Sequence, residues 1–357
     1  MKRTFFGIVG VFGCGLAVLH QRFGLSWRKN DLYFLKKSEK EYSPTLVEAQ
    51  NHPNSHSNNA VKILCQNTWL SYFAGGPERE ARRYPDIVCL QELFLFGVGP
   101  FWIMTSEFES IYNHLVNHLG YTYTTNPYQT LPLFGQNNGL MIFSKIPLDN
   151  LANRSFALNT RRLFTQKGLL ATRVCVGDNN ILLINTHLEH RNNRYKLGQI
   201  QQIKEEVQEL LKKFPAMQRY QCILGDFNIC SNYTFEKNEL HRSPSEAWSL
   251  HNFWERLTTG EKHKENGHEE VKFLYDKLVR TMANELYLPH DVFIEKKCVD
   301  RTYRVQSGNS VETEACYDHV FMNDTLFDCV KDLQVVDYQE NGLAMSDHFG
   351  LMVTLHL

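Results

Sequence analysis

Short apolar runs that each close on a polar or acidic group recur along this chain, and they constrain its fold more than any other feature. Cys222 to Leu224 leads into Gly225-Asp226-Phe227-Asn228, Val61 to Cys65 into Gln66-Asn67-Thr68-Trp69, and Ile87 to Leu90 into Gln91-Glu92. Ile181 to Asn185 delivers Thr186-His187-Leu188. Runs of this length, bounded by glycine and polar residues, read as buried strands. Asn138-Gly139 opens another run through Ser144-Lys145, and Lys167-Gly168 precedes one from Leu169 to Val176. Near the end, Tyr317-Asp318-His319-Val320-Phe321 reads as a strand carrying an acid, and Ser346-Asp347-His348 stands before the last strand, Leu351 to Leu355. Apolar residues at helical spacing predict helices over Glu107 to Leu119, stopped by Gly120, and over Leu197 to Phe214.

Taken singly, each strand-terminal group has a structural explanation, since Gly-Asp-x-Asn makes turns and a histidine can be satisfied in a core. What resists that explanation is their recurrence at Asn67, Glu92, His187, Asp226, Asn228, Asp318, Asp347 and His348. In layered α/β folds sites form where strand ends converge. The inventory also fits a reaction. Glu92, helped by Asn67, is a hard-oxygen donor set suited to Mg²⁺, which retains exchangeable waters. Two histidines supply a general base and a proton donor near neutral pH, and a carboxylate such as Asp318 beside one of them would fix its tautomer. The chemistry implied is metal-assisted hydrolysis of a phosphate ester by water. There is no Gly-x-Ser-x-Gly, Walker loop, Gly-x-Gly-x-x-Gly or His-Glu-x-x-His in the chain, so those enzyme classes lack their signatures.

Composition narrows the partners. With 38 Lys and Arg against 39 Asp and Glu, the formal charge is −1, and no global field attracts a polyanion, so nucleic acid is not expected as a partner. The nine cysteines are odd in number, and Cys65, Cys89, Cys175 and Cys222 lie inside apolar runs, so they read as core thiols. Three Asn-x-Ser/Thr sequons, at Asn153, Asn232 and Asn323, are about what chance gives in an Asn-rich chain.

The organisation expected is a hydrophobic signal or membrane-anchor segment over 1–22, a polar linker over 23–60 and a catalytic domain over 61–357 with a helical insertion at about 231–295. The uncharged stretch Thr4 to Leu19 would span only about 24 Å as a helix against about 30 Å of bilayer core, which leaves signal peptide and anchor both open. Either reading places the protein at a membrane or in the secretory pathway. Phe94 to Trp102 is an aromatic stretch just after Glu92 that reads either as a loop entering a membrane interface or as one packed on the core.

Collected in order, Gln66-Asn67-Thr68-Trp69, Leu90-Gln91-Glu92, Asn138-Gly139 through Ser144-Lys145, Asn185-Thr186-His187-Leu188, Gly225-Asp226-Phe227-Asn228, Tyr317-Asp318-His319-Val320 and Ser346-Asp347-His348 resemble the motifs of the endonuclease/exonuclease/phosphatase superfamily. The match runs from about residue 61 to the C-terminus. It implies a four-layer α/β/β/α sandwich, deoxyribonuclease-like, with two central and mostly antiparallel sheets. Within the superfamily the chain looks most similar to the neutral Mg²⁺-dependent sphingomyelinases, through Asn67-Thr68-Trp69, Thr165-Gln166-Lys167-Gly168-Leu169 and Ser346-Asp347-His348.

Carried over motif by motif, the resemblance implies that Glu92 and Asn67 bind Mg²⁺, with Mn²⁺ an alternative, and that Asp347 supports that site or a second metal. Asp226 and Asn228 would position phosphate and water, His348 oriented by Asp318 would be the general base, and His187 would stabilise or protonate the departing side. Lys167 and Asn138 would contact substrate. The expected activity is cleavage of sphingomyelin or a related choline phospholipid to ceramide and phosphocholine, at a membrane surface. Alternatives are a nuclease or phosphoinositide phosphatase of the same superfamily, and a non-enzymatic lipid- or protein-binding module on a degenerate scaffold.

Overall fold

The apolar runs are continuous because the strands they form are buried on both faces. The computed structural model describes residues 33–36, 60–68, 85–98, 101–104, 106–158, 166–190, 192–231, 268–296, 302–307, 310–336, 339–340, 343–344, 346 and 348–357. Two six-stranded sheets dominate. The first runs, in spatial order, Val330–Val336, Gly350–His356, Ala60–Asn67, Ile87–Gln91, Met141–Ser144 and Tyr123–Thr124. The second runs His290–Asp291, Asp318–Met322, Gln221–Asp226, Asn179–His187, Gly168–Val176 and Leu148–Ser155. Each is antiparallel except at its middle, where Ala60–Asn67 is parallel to Ile87–Gln91 and Asn179–His187 is parallel to Gln221–Asp226.

That exception positions the site. A parallel pair needs a crossover connection and brings two C-terminal strand ends to the same edge. In the second sheet the helix Asn193–Lys213 makes the crossover; Asn192 caps its start by accepting from Tyr195 N at 3.1 Å, and Lys212 and Lys213 lie in its last turn. Asn67, Gln91, His187 and Asp226 are thereby the last residues of four strands that share one end of the double sheet.

The pleat sorts the side chains between layers. Ile63, Cys65, Ile87 and Cys89 of the first sheet meet Leu183, Cys222, Leu224 and Val320 of the second in a core between the sheets. Their neighbours Leu64, Val88 and Leu90 turn the other way, onto Phe108 and Ile111 of the helix Ser106–Asn113. Ile184 and Ile223 turn outward onto Ile200 and Ile203 of the crossover helix and Leu278 of the helix His268–Arg280. The result is the four-layer α/β/β/α sandwich expected from the sequence.

Several elements differ from their sequence reading. The helix over 107–119 forms as Ser106–Asn113 and widens into a π-helical turn, His114–His118. The stretch after Glu92 is not a loop: Leu93, Phe94 and Leu95 are buried, and Phe96–Val98 pairs with Phe101–Met104 in a small four-stranded sheet. A further strand of that sheet, Tyr33–Lys36, falls inside the expected polar linker and pairs with Phe101–Met104. Its Tyr-Phe-Leu triplet has strand propensity that a linker reading based on polar neighbours passes over.

Of the expected insertion, residues 232–267 lie outside the described residues. Its C-terminal part is integral to the domain, since the helix His268–Arg280 covers the second sheet and His290–Asp291 extends that sheet at its edge. The hydrophobic segment at 1–22 also lies outside the described residues, and among those described no helix is long and apolar enough to cross a membrane. The sequons at Asn153 and Asn323 are structural: Asn153 accepts from Asn138 Nδ2 at 2.8 Å, and Asn323 caps the helix Asp324–Phe327.

Candidate active site

The first sheet contributes Asn67 and, one residue past its strand, Glu92; the second contributes His187, Asp226 and, two residues further, Asn228. Glu92 and Asn228 both take positive φ, at 64° and 50°, and the only other described non-glycine residue to do so is Tyr287. Conformations of this kind persist where surrounding structure over-determines them, and they aim side chains that a regular strand end would not. Gly225 has φ 146°, and a Cβ there would lie 1.9 Å from the Thr186 carbonyl oxygen. Glycine is therefore what lets Gln221–Asp226 run beside Asn179–His187 as far as the pair His187 and Asp226.

Asp226 is the hub. Its Oδ2 accepts from Asn67 Nδ2 at 3.0 Å and from Asn228 Nδ2 at 3.2 Å, while Oδ1 accepts from Asn228 N at 2.8 Å. His187 Nε2 lies 3.2 Å from Oδ2, and His348 Nε2 lies 3.7 Å from it. Burial opposes ionisation of this carboxyl, yet His348, His187 and Lys167 together hold it well below the usual carboxylate range. Asp226 is thus a buried anion held by cationic and N–H groups from both sheets.

Beside it stands a second pair. His348 Nδ1 donates to Asp318 Oδ2 at 2.7 Å, which orients the ring and turns Nε2 toward Asp226 at 3.7 Å. Burial pushes the Asp318 carboxyl up, and the neighbouring His348 offsets this in part. The pair is held from behind. Thr302 Oγ1 accepts from Asp318 N at 3.0 Å, Ser346 Oγ accepts from His348 N at 3.1 Å and donates to the Asn67 carbonyl at 2.8 Å, and Gln66 Nε2 donates to the His348 carbonyl at 3.0 Å. The Tyr303 ring packs edge-on against the imidazole at 4.9 Å.

The remaining candidates form the far side. Glu92 Oε1 lies 3.6 Å from Lys167 Nζ and 3.7 Å from His187 Nε2. Lys167 Nζ is 2.5 Å from the same His187 nitrogen. One imidazole nitrogen cannot at once accept from an ammonium and donate to Asp226, so the tautomer of His187 decides which of these two contacts is a hydrogen bond. Asn138 does not join this cluster through any described contact. It is fully buried, and its amide donates to Asn153 and to the Arg154 carbonyl, bracing the edge strand Leu148–Ser155. Asp347 lies outside the described residues.

The donor set suits a hard divalent cation. Among the described residues, Asp226, Asp318 and His348 present ligand-type atoms within 4.8 Å of one another. Asp318 Oδ1 is buried without a hydrogen-bond partner, an acceptor that a bound cation or its water would satisfy. Carboxylates and amide oxygens with few soft donors match Mg²⁺ or Mn²⁺ better than zinc. Nor do the described thiols Cys65, Cys89 and Cys222 add a ligand, since they are buried in the core between the sheets and burial pushes all three up.

Sequence reasoning passed over Thr302, Ser346 and Tyr303 as parts of the site. Ser346 stood within a quoted motif and Tyr303 beside no motif at all. Thr302 acts through one hydroxyl on the backbone of Asp318, a contact with no sequence signature.

A sequence model of the Endonuclease/Exonuclease/phosphatase family matches residues 52–348 of the chain. No curated protein sequence matches it. Among solved structures, beta toxin from Staphylococcus aureus is similar, at 15% identity over 82% of this chain and 99% of that one, with a TM-score of 0.50. Truncated TDP2 from Caenorhabditis elegans is 15% identical over 83% of this chain and 97% of that one, with a TM-score of 0.44. Sphingomyelinase C from Streptomyces griseocarneus is 13% identical over 83% and 99%, with a TM-score of 0.43. At these identities the likeness concerns the fold alone.

Proposed function

The chain belongs to the Endonuclease/Exonuclease/phosphatase family, whose members are hydrolases of phosphate esters that generally depend on a divalent metal, and from that premise we propose that it hydrolyses sphingomyelin, or a related choline phospholipid, to ceramide and phosphocholine with Mg²⁺. The observation that carries the hydrolytic reading is the 2.7 Å bond from His348 to Asp318, with Nε2 turned toward Asp226. In the reaction His348 Nε2 takes a proton from water as the water oxygen bonds to phosphorus. The bond from phosphorus to the ceramide oxygen breaks, and that oxygen receives its proton from His187. Asp226 and Asn228 hold phosphate and water in line, and Lys167 faces the phosphate charge. Glu92 and Asn67, with Asp347, would hold the cation. Its chemistry there is to polarise the phosphoryl oxygen and to neutralise developing charge.

Lipid is favoured over nucleic acid by a formal charge of −1 and by the uncharged segment Thr4 to Leu19, which suits a protein that works at a membrane or travels the secretory pathway. All the acid and base positions are filled, which disfavours a purely binding role.

The experiment is release of phosphocholine from sphingomyelin vesicles by the full chain, with Mg²⁺ and with chelator, beside phosphatidylcholine vesicles and DNA. Mg²⁺-dependent release that is lost in His348→Ala supports both reaction and substrate. Cleavage of DNA with intact lipid would overturn the substrate and leave the hydrolase.

A further inference from the structure

A lysine is buried where the crossover helix begins. Lys196 closes the first turn of the helix Asn193–Lys213, its backbone N–H donating to the Asn192 carbonyl at 3.0 Å, and the residue is only 6% exposed. Lysine is rarely buried to this degree unless its ammonium is hydrogen-bonded, because taking that group out of water is costly. Here Lys196 Nζ donates to the backbone carbonyl of Asn228 at 2.5 Å.

The carbonyl it holds belongs to a residue whose side chain has to be aimed. Asn228 has φ 50°, a conformation that a non-glycine residue keeps only where its surroundings enforce it. That backbone turns the Asn228 amide back to donate to Asp226 Oδ2 at 3.2 Å and to the Leu188 carbonyl at 3.0 Å. The direction of a carbonyl follows the ψ of its own residue, so the Lys196 bond fixes the torsion that partners the positive φ. The next carbonyl, that of Ile229, accepts from His319 Nε2 at 2.9 Å, so two consecutive peptide groups past Asp226 are held by side chains.

The same helix grips the other catalytic turn. Three residues on from Lys196, and therefore on the same helix face, the fully buried Gln199 accepts from Glu189 N at 2.8 Å and donates to the Leu158 carbonyl at 2.6 Å. Glu189 lies just past His187 and Leu188, so one face of the helix bonds the backbone after His187 and the backbone after Asp226.

We propose that Lys196 is a positioning residue for hydrolysis: through the Asn228 carbonyl it holds the Asn228 amide in the orientation in which that amide, with Asp226, aligns phosphate and water. The proposal rests on the hydrolase reading of the site and on no particular substrate.

The test is a double-mutant cycle on the full chain, with Mg²⁺ and the soluble diester bis(p-nitrophenyl) phosphate. Lys196→Met keeps the reach of the side chain and removes its donor; kcat should fall about 10²-fold, the cost of a misplaced aligning group. KM should move by less than about threefold, and Lys196→Arg, which keeps a donor, should recover at least about tenfold of the loss. In an Asn228→Ala background nothing is left to aim, so Lys196→Met should cost less than about threefold more. A lysine that serves folding alone lowers Tm and costs the same factor in both backgrounds, and that result overturns the proposal, as does an unchanged kcat in Lys196→Met. If Lys196→Met does not fold, Lys196→Gln, one bond shorter, takes its place in the cycle. If the parent chain cleaves no diester, the hydrolase reading fails, and the hold of Lys196 on Asn228 is decided by NMR. The Asn228 side-chain amide, identified by its missing signal in Asn228→Ala, should exchange slowly in the parent and rapidly in Lys196→Met, and equal exchange in the two overturns it.

Discussion

Replacing Asp318 by asparagine separates charge from shape at the point where the two sheets share the catalytic base. The side chain keeps its size, and an amide oxygen can still accept from His348 Nδ1, now at 2.7 Å from Oδ2. What disappears is the negative charge that stabilises the imidazolium formed when Nε2 takes its proton. For charge centres roughly 4 Å apart at an effective dielectric of about 20, the interaction is about 4 kcal/mol. Part of it returns through the retained hydrogen bond, so the expected fall in kcat is about 10²- to 10³-fold, or roughly 3 to 4 kcal/mol of barrier. KM should change little, because Asp318 lies behind His348 and not against substrate. Stability should change by only about 1 kcal/mol, since relief of a buried charge offsets an unmatched amide N–H. Steady-state kinetics on bis(p-nitrophenyl) phosphate, with thermal melting as control, measures all three. A fall in kcat below about fivefold, or a loss confined to KM, would refute the assignment of His348 as the base that Asp318 orients.

Two further perturbations test the scaffold. Gly225→Ala places a Cβ 1.9 Å from the Thr186 carbonyl oxygen at a φ of 146°, so we expect destabilisation of at least about 3 kcal/mol, read as a lowered urea midpoint. Asp291→Asn tests a buried ion pair: His319 bonds Asp291 Oδ2 through Nδ1 at 2.8 Å and the Ile229 carbonyl through Nε2 at 2.9 Å, two acceptors that require a doubly protonated ring. Burial alone would lower the His319 pKa, but Asp291 and the carbonyl raise it above the ordinary value. The stabilisation is therefore fully present below about pH 6.5 and is lost as pH rises through the folded pKa. Asp291→Asn should lower Tm more at pH 6 than at pH 9, and an equal loss at both would show that the pair does not titrate as described.

The sandwich was legible because its strands are buried on both faces, so their apolar runs carry no ambiguity of period, and because polar residues close them. The site's chemical groups were legible for the same reason, as Asn67, Glu92, His187 and Asp226 stand at strand ends that sequence can locate. Three things were not. Tyr33–Lys36 becomes a strand only because Phe101–Met104 offers it a partner, and pairing over such a separation leaves no local mark. Leu93 to Leu95 and Leu133-Phe134 are equally apolar, yet the first three are buried and the second pair is exposed, a distinction made by the packing of Asn137 and Gly97 and not by composition. The dual bonding of His319 depends on Asp291, which the insertion supplies from the edge of the sheet.

The division of the site between sheets explains why its floor is polar. Asn67, Glu92 and His348 come from the first sheet and its flanks, while His187, Asp226, Asn228 and Asp318 come from the second, so the His348–Asp318 pair and the Asn67–Asp226 bond both span the seam. An apolar seam would tolerate small slips between sheets, because hydrophobic contact is non-directional. Directly beneath the site the seam is instead keyed by Gln91 Nε2, which donates to Asn185 Oδ1 at 2.6 Å, and by Asn185 Nδ2, which donates to the Leu90 carbonyl at 2.9 Å and the Met141 carbonyl at 3.3 Å. Both side chains are fully buried, and the directional bonds from Gln91 Nε2 and Asn185 Nδ2 form in one relative register only. The apolar core between the sheets supplies most of the burial, and these two amides determine which alignment of the sheets that burial stabilises. That alignment is the one in which Asn67 reaches Asp226 and His348 reaches Asp318.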